Sequence, residues 1–449
     1  MNKTPEQIIE LVRNAGVVGA GGAGFPTYLK LQAKVDTVII NGSECEPLLY
    51  SDKALLLDRP GDVIEGLKSA MKATGAKEGV IAVNGHYRNI ADSIQKIISS
   101  PDQNIRVHLL NDYYPAGDEF LMVYDITKKV IPEGGLPTAV GVSVINAMTA
   151  AQIHHAVNGK PVTERLVTIT GEVHEPKVVQ VPIGTPYSEL IKLAGGSKLK
   201  NYAVLDGGPM MGNLISQLEN GISKTTTGII ILPLDHFVIQ MKTKSSKQMV
   251  KLSKAACCQC SQCTDLCPRN LLGHEINPDL AMRSIDYNMS EPSSHVTSAF
   301  LCSQCGLCEL VACDSKFLSP KKIYAEFKKQ LIQAGIKNPH QRSGFSVHSQ
   351  FENRKVSTEM LMKKLGISHY YAHLPMKSTA NEMPIVKIPT QRHKGAPSIV
   401  TVNIGQQVRR GDVISMSPAD QQGSIYHASM HGKISDITES FVEITGQLS

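Results

Sequence analysis

The sequence predicts a multidomain α/β and α+β protein, on three observations. Apolar strand-like runs alternate with helical spacing over the first 160 residues, turn-rich strands follow and return at the C-terminus, and two tight cysteine tetrads lie between them. With 449 residues, 42% of them hydrophobic, the chain is long enough for about three domains of ~150 residues.

The first domain, residues 1–160, opens on Thr4-Pro5 with Gln7 three residues after the threonine, a capping-box start. Ile8, Ile9, Leu11 and Val12 then give one apolar face ending at Gly16. That helix feeds the loop from Gly19 to Pro26, and Lys30 falls on the next helix. Runs at Thr37–Ile40, Gly79–Val83 and Ile105–Leu110 read as strands, and Ile90–Ile98 has helical spacing, so this part is an α/β domain. Residues 161–240 carry short strands at Leu166–Thr170 and Val178–Val181, with turn residues between them, and a helix near Tyr187–Leu193, the pattern of a β-grasp module. Residues 241–256 are rich in Lys and Ser and read as a linker into a helical cysteine domain spanning 241–335. Helical spacing and many charges make 336–375 a helical linker. Strands with Gly405, Gly411, Gly423 and Gly432 as turn points make 376–449 a compact β domain.

Charge and hydropathy narrow the function. The formal charge of +6 comes from 46 basic and 40 acidic residues spread without a dense block, and aromatics are few, which argues against nucleic acid as a partner. Apolar runs such as Gly228–Leu232 fall far short of the roughly 20 residues of a membrane-spanning helix, so no transmembrane segment is expected. The N-terminus lacks the pattern of a secretory signal, and the expected compartment is the cytosol. There, eight of ten cysteines clustered at short spacings point to metal ligation rather than cross-linking.

Cys257, Cys260, Cys263 and Cys267-Pro268 follow C-x2-C-x2-C-x3-C-P, the ferredoxin run in which three neighbouring thiolates grip one [4Fe–4S] cubane and the fourth reaches a second cluster. Cys302, Cys305, Cys308 and Cys313 repeat the pattern with one extra residue before the last cysteine, and with Asp314 where a proline is usual. By the two-cluster logic Cys257, Cys260, Cys263 and Cys313 hold one cluster, and Cys302, Cys305, Cys308 and Cys267 the other; Cys258 is spare. Zinc is the alternative, but it prefers two C-x2-C pairs separated by a longer loop.

Four glycines in six positions, Gly19, Gly21, Gly22 and Gly24, let backbone N–H groups approach a phosphate without Cβ clashes. Lys30 can neutralise phosphate charge. Asn41, at the end of the next strand in Asn41-Gly-Ser-Glu44-Cys45-Glu46-Pro47, can satisfy the polar edge of a buried ring. For the glutamates a solvated acidic rim is the alternative, and Cys45 reads as a small buried residue.

These segments resemble the flavin-binding subunit of NADH:quinone oxidoreductase (complex I) and the C subunit of the Rnf electron-transport complex. The resemblance continues at Tyr114-Pro-Ala-Gly117-Asp118-Glu119 and Val144-Ile145-Asn146. It implies FMN contacts for Gly19, Gly21, Gly22, Lys30, Asn41, Glu44, Tyr114 and Asn146, and places Phe25, Glu46 and Glu119 near NADH. Two departures stand out: Asp118 replaces a glutamate, and Ile145 replaces an asparagine that would contact the flavin.

Domain order sharpens the resemblance. The segment running from Gln391 through His427 is similar to a biotinyl-like β domain, and its place at the C-terminus, together with Gly207-Gly208-Pro209-Met210-Met211-Gly212, looks like the PduS-type cobalamin reductases of propanediol utilisation. That family implies an SLBB-like β-grasp module and a C-terminal barrel-sandwich domain. Lys433 follows His431-Gly432 rather than sitting in a modification hairpin, so covalent biotin or lipoate is not expected. His393, His427, His431, Met210 and Met211 read as surface or packing residues. The implied function is electron transfer from NADH through FMN and two [4Fe–4S] clusters to cobalamin. Its implied partners are a corrinoid adenosyltransferase and the shell proteins of a bacterial microcompartment. An Rnf-like electron-entry subunit exchanging electrons between NAD and ferredoxin, and a non-catalytic carrier, are the alternatives.

Overall fold

A computed structural model describes residues 3–98, 104–286, 293–313, 317–372, 374, 376–380 and 383–446; Asp314 lies outside them. The first unit is a parallel sheet in the order β3-β2-β1-β4, built from β1 (Thr37–Gly42), β2 (Glu78–Asn84), β3 (Ile105–Leu110) and β4 (Val142–Asn146). Val38, Ile39 and Ile40 are wholly buried, as a strand covered on both faces requires. Around the sheet lie α1 (Pro5–Asn14), α2 (Thr27–Gln32), α3 (Ser51–Asp58), α4 (Pro60–Thr74), α5 (Arg88–Ile97), α6 (Glu119–Thr127) and α7 (Ala147–Val157). The capping box at Thr4 and Gln7 forms as the sequence requires.

The second unit is a mixed sheet, with β5 (Glu164–Gly171), β6 (Lys177–Pro182), β7 (Tyr202–Asp206), β8 (Asn213–Ile215) and β9 (Gly228–Pro233) around α8 (Tyr187–Leu193). Its outer strand, β10 (Met376–Thr379), pairs parallel with β6, so the chain returns to this unit before its final domain.

Next come α9 (Phe237–Thr243) and α10 (Ser246–Ala256). The expected linker over 241–256 is largely helix: Ser245 accepts from Gln248 N–H while the Gln248 side chain returns the bond, a second capping box. The cysteine region holds α11 (Gln262–Asp265), α12 (Pro268–Leu271), α13 (Pro278–Asp286), α14 (Ser294–Thr297), α15 (Leu307–Leu310) and α16 (Pro320–Gln333). The expected helical linker over 336–375 is helical only at α17 (Thr358–Leu365) and a short 3-10 turn at Ser368–Tyr370. Gly335, Pro339 and Gly344 interrupt the earlier part.

The last unit has two antiparallel sheets. One, ordered β11-β17-β16-β13, uses β11 (Ile385–Pro389), β13 (Gln407–Val408), β16 (Gly432–Ile437) and β17 (Phe441–Thr445). The other, β12-β14-β15, uses β12 (Ile399–Val400), β14 (Val413–Met416) and β15 (Tyr426–His427). Neither closes into a barrel among the described residues.

Candidate functional site

A cleft of about 600 Å³ opens at the C-terminal ends of β1 and β4, the end at which open parallel sheets bind ligands. Gly19, Gly21, Gly22, Phe25, Lys30, Asn41, Glu44, Glu46, Tyr114, Glu119 and Asn146 all line it. Gly22 has φ +111°, with open space where a Cβ would stand, so the loop presents bare backbone there. Two braces shape the loop from behind. Thr149 Oγ1 accepts from Ala20 N–H at 2.9 Å, and Arg165 of β5 donates to the Ala20 carbonyl and, through Nε, to Thr226 O at 2.7 Å.

The polar side chains of the cleft are already partly engaged. Lys30 Nζ donates to Glu119 at 2.7 Å and to Val144 O at 2.9 Å. With the two side chains 29% and 41% exposed, this pair contributes no more than about 1 kcal/mol and leaves the ammonium available to an anion. Asn41 donates to Gly117 O and accepts from Ser43 N–H, which fixes its amide orientation. Glu44 takes the N–H groups of Asp52 and Lys53 and the Ser51 hydroxyl, so it caps α3. Asn146 caps α7 and donates to Asp52 Oδ2.

Glu46 is not part of a solvated acidic rim. Its two oxygens accept from Met210 and Met211 N–H at 3.0 and 2.7 Å. Burial raises its pKa, against the pull of those amides and of Lys242. It thus pins the Gly207–Gly212 loop of the second unit across the cleft. A Cβ on Gly208 would stand 2.1 Å from Glu46 Oε2, so only glycine fits. Met210 is core, as expected, but Met211 is half exposed and lines the cleft.

Several lining residues are ones the sequence patterns did not single out: Asp52, Asp206, Arg269 and Ser303. Asp118 caps α6 and pairs with Arg269 at 3.0 Å, and the guanidinium sits 3.5 Å from the Phe120 ring centre. The shorter aspartate, an N-cap former, meets both demands at the position where a glutamate is usual. Ile145 fills its place as a buried apolar wall.

The cysteine region meets this cleft directly. Tyr114, fully buried, donates its hydroxyl to Cys305 O at 2.7 Å, and Cys305 itself lines the cleft. Behind it, Cys267, Cys302, Cys305 and Cys308 line one small cavity with Lys321. Burial raises the Cys263 thiol, and Cys313, Asp279, Cys257 and Cys260 lie close enough to add to the rise. Burial pushes the thiols of Cys305 to about 11 and Cys267 to about 12. Thiolates in such surroundings need positive charge such as iron, so the donor set fits the clusters. Cys45 is likewise raised by burial, to about 12, and lies against Gly117, the expected packing residue. For the flavin, the bare loop, Lys30 and a buried, unpartnered Asp52 Oδ1 fit a polar ring carrying a phosphorylated side chain.

Of the C-terminal histidines, His427 is buried, and burial pulls its pKa down to about 3. His393 bonds to Tyr426 Oη and Ala396 O. His431 is exposed, at a larger cavity of about 880 Å³ lined by Arg59, His155 and Arg410; that cavity holds none of the expected ligand residues.

Comparison with known proteins agrees with this anatomy. Residues 12–155 match the Nuo51 FMN-binding domain, 166–214 the SLBB domain, 256–317 the 4Fe-4S dicluster domain and 369–448 the RnfC barrel sandwich hybrid domain. Fold and site together define an FMN- and iron–sulfur-dependent oxidoreductase. The cobalamin reductase PduS of Salmonella typhimurium is 38% identical over 450 residues, 99% of this chain and 97% of that protein, and the one from Citrobacter freundii is 38% identical over 445 residues, 98% of this chain and 96% of that protein. The chain belongs to the PduS cobalamin reductase family. The C subunit of the Na+-translocating ferredoxin:NAD+ oxidoreductase complex of Acetobacterium woodii is 36% identical over 272 residues, 59% of this chain and 58% of that one. Among solved structures, an NAD+-reducing [NiFe]-hydrogenase chain aligns with TM-score 0.50 at 20% identity, over 75% of this chain and 63% of that chain. That likeness is one of fold alone.

Proposed function

We propose that this protein passes electrons from NADH through FMN and two [4Fe–4S] clusters to the cobalt of a corrinoid, as a cobalamin reductase of propanediol utilisation. The observation that carries the reading is the shared wall, where the glycine loop and Cys305 line one cleft joined by the Tyr114–Cys305 hydrogen bond. When bound, FMN converts a hydride's electron pair into single electrons that iron–sulfur clusters can accept.

In this reading Gly19, Gly21 and Gly22 cradle the flavin phosphate and Lys30 neutralises it. Asn41, Glu44, Tyr114 and Asn146 fix the ring, and Phe25 and Glu119 face the nicotinamide. Glu46 acts at one remove, through the Met210–Met211 loop that narrows the nucleotide's space. Cys257, Cys260, Cys263 and Cys313 would hold one cluster and Cys302, Cys305, Cys308 and Cys267 the other. A corrinoid adenosyltransferase would use the reduced cobalt, and microcompartment shell proteins would enclose the pair. No described helix is long and apolar enough to cross a membrane.

Anaerobic stopped-flow mixing with NADH and cob(III)alamin tests this. Flavin bleaching followed by the cob(II)alamin spectrum is expected. Absence of bleaching would leave only a carrier role, and bleaching without corrinoid reduction would assign another acceptor.

A further inference from the structure

The two tetrads sit in different surroundings. Cys305 and Ser303 belong to the cleft wall, whereas none of the described cleft residues comes from the first tetrad. Cys267, Cys305 and Cys308 are buried and Cys302 half-buried; in the other set Cys263 is buried, Cys257 and Cys313 are half-buried, and Cys260 is exposed.

The tetrad with the exposed Cys260 also sits at the end of a basic face. Helix α10 stops at Cys257, its C-cap. On it Lys247, Lys251 and Lys254 recur at spacings of four and three, which places them on one side, and all three are exposed. Met249 and Ser253 are its buried side, and α13 and α16 pack against the helix. From His236 to Thr264 the chain holds five lysines and no Asp or Glu. Of the packed neighbours, α16 adds exposed Lys329, and Asp279 of α13 is buried and takes the hydroxyls of Ser261 and Thr264.

We propose that electrons enter at the tetrad that reaches the cleft through Cys305, namely Cys302, Cys305, Cys308 and Cys267, and leave from Cys257, Cys260, Cys263 and Cys313 to a redox protein, interposed before the corrinoid, whose acidic face docks on the lysine face of α10. This rests on the flavin and two-cluster reading above. Three charges spread over about 10 Å of helix match a row of carboxylates on a protein better than the single phosphodiester of a free corrinoid. Each departure oxidises the exit cluster by one electron and reduces the acceptor by one; no bond or proton moves, and one hydride supplies two departures.

The reduced holoprotein, mixed with ferricyanide or hexaammineruthenium(III) over a range of salt concentrations, tests the surface. Oxidation by the ferricyanide anion should fall with salt, and at low salt K247E/K251E/K254E should slow it about ten-fold. The charge-matched control K192E/K363E/K433E should keep the wild-type slope, and the ruthenium cation should respond in the opposite sense. Equal slopes for the two variants, or equal slowing with both oxidants, would overturn the docking face. Ten-fold slower reduction of free cob(III)alamin by the lysine variant would make the corrinoid itself the occupant and overturn the protein partner. Independently, a water-soluble dysprosium chelate should speed the EPR relaxation of one reduced cluster and not the other; equal enhancement would overturn the order of clusters. A preparation lacking flavin or holding fewer than two clusters would overturn the cofactor reading instead.

Discussion

Asp52 shows how much of the cleft is decided one residue at a time. One of its oxygens accepts from Asn146, and the other, Oδ1, is buried with no hydrogen-bond partner. Burial first, and then the charge of Glu44, raise its pKa to about 7, against Arg165, Asn146 and Lys53. Below that pH the carboxyl is protonated and can donate from Oδ1; above it, the flavin meets an ionised group. FMN binding to the apoprotein, followed by fluorescence between pH 6 and 8, should therefore weaken several-fold as pH rises through about 7. Asp52→Asn should flatten the profile, and an unchanged inflection in that variant would assign it to another group. Nothing in the sequence marks Asp52, because its role depends on α3 being capped by Glu44, eight positions earlier in the chain. Asn41, Glu44 and Glu46 are legible because they crowd one strand end. Arg269 and Ser303 are not, because they reach the cleft from another domain.

At the scale of elements, the Gly207–Gly212 loop is held by two backbone amides on one carboxylate. Gly208→Ala would drive a Cβ against Glu46 Oε2, and Glu46 can yield only by releasing Met210 and Met211. Losing those bonds in a partly buried place costs about 2 kcal/mol or more. Calorimetry should show a lower melting temperature and the protein should release FMN more readily, with Glu46→Gln, which keeps one acceptor, less affected. A Gly208→Ala protein as stable as wild type would refute this account of the loop. Periodicity locates β1, β2, β3, β5, β6, α1, α5 and α8, because each has a buried face of regular spacing. It passes over α10, whose lysines hide a capping box of the same Ser/Thr-x-x-Gln grammar that announces α1. Beyond α16, spacing alone suggests helix where Pro339 forbids a continuous one.

For the molecule as a whole, the decisive contact is a lysine that no motif singles out. Lys224, fully buried in the second unit, donates to Gly16 O at 2.7 Å at the entry to the glycine loop and to Ile425 O at 2.6 Å in the last unit. Its Nζ also lies 3.2 Å from Ser424 Oγ. Three parts of the chain, each at least 200 residues from the next, therefore meet on one amine. Burial pulls its pKa down to about 7, against about 10.4 for an unfolded lysine. Between those values the unfolded chain binds the extra proton, so this group's contribution to stability rises with pH from about 7 to about 10 and is least favourable below 7. Lys224→Met strands two buried carbonyls, each costing about 1–3 kcal/mol, and removes the titration. Calorimetry should find the variant melting several degrees lower at pH 7, with the gap to wild type widening at pH 9. A gap that stayed constant between pH 7 and 9 would mean that Lys224 is held as an ammonium at this junction, and the two carbonyls would then be charge partners rather than acceptors for a neutral amine.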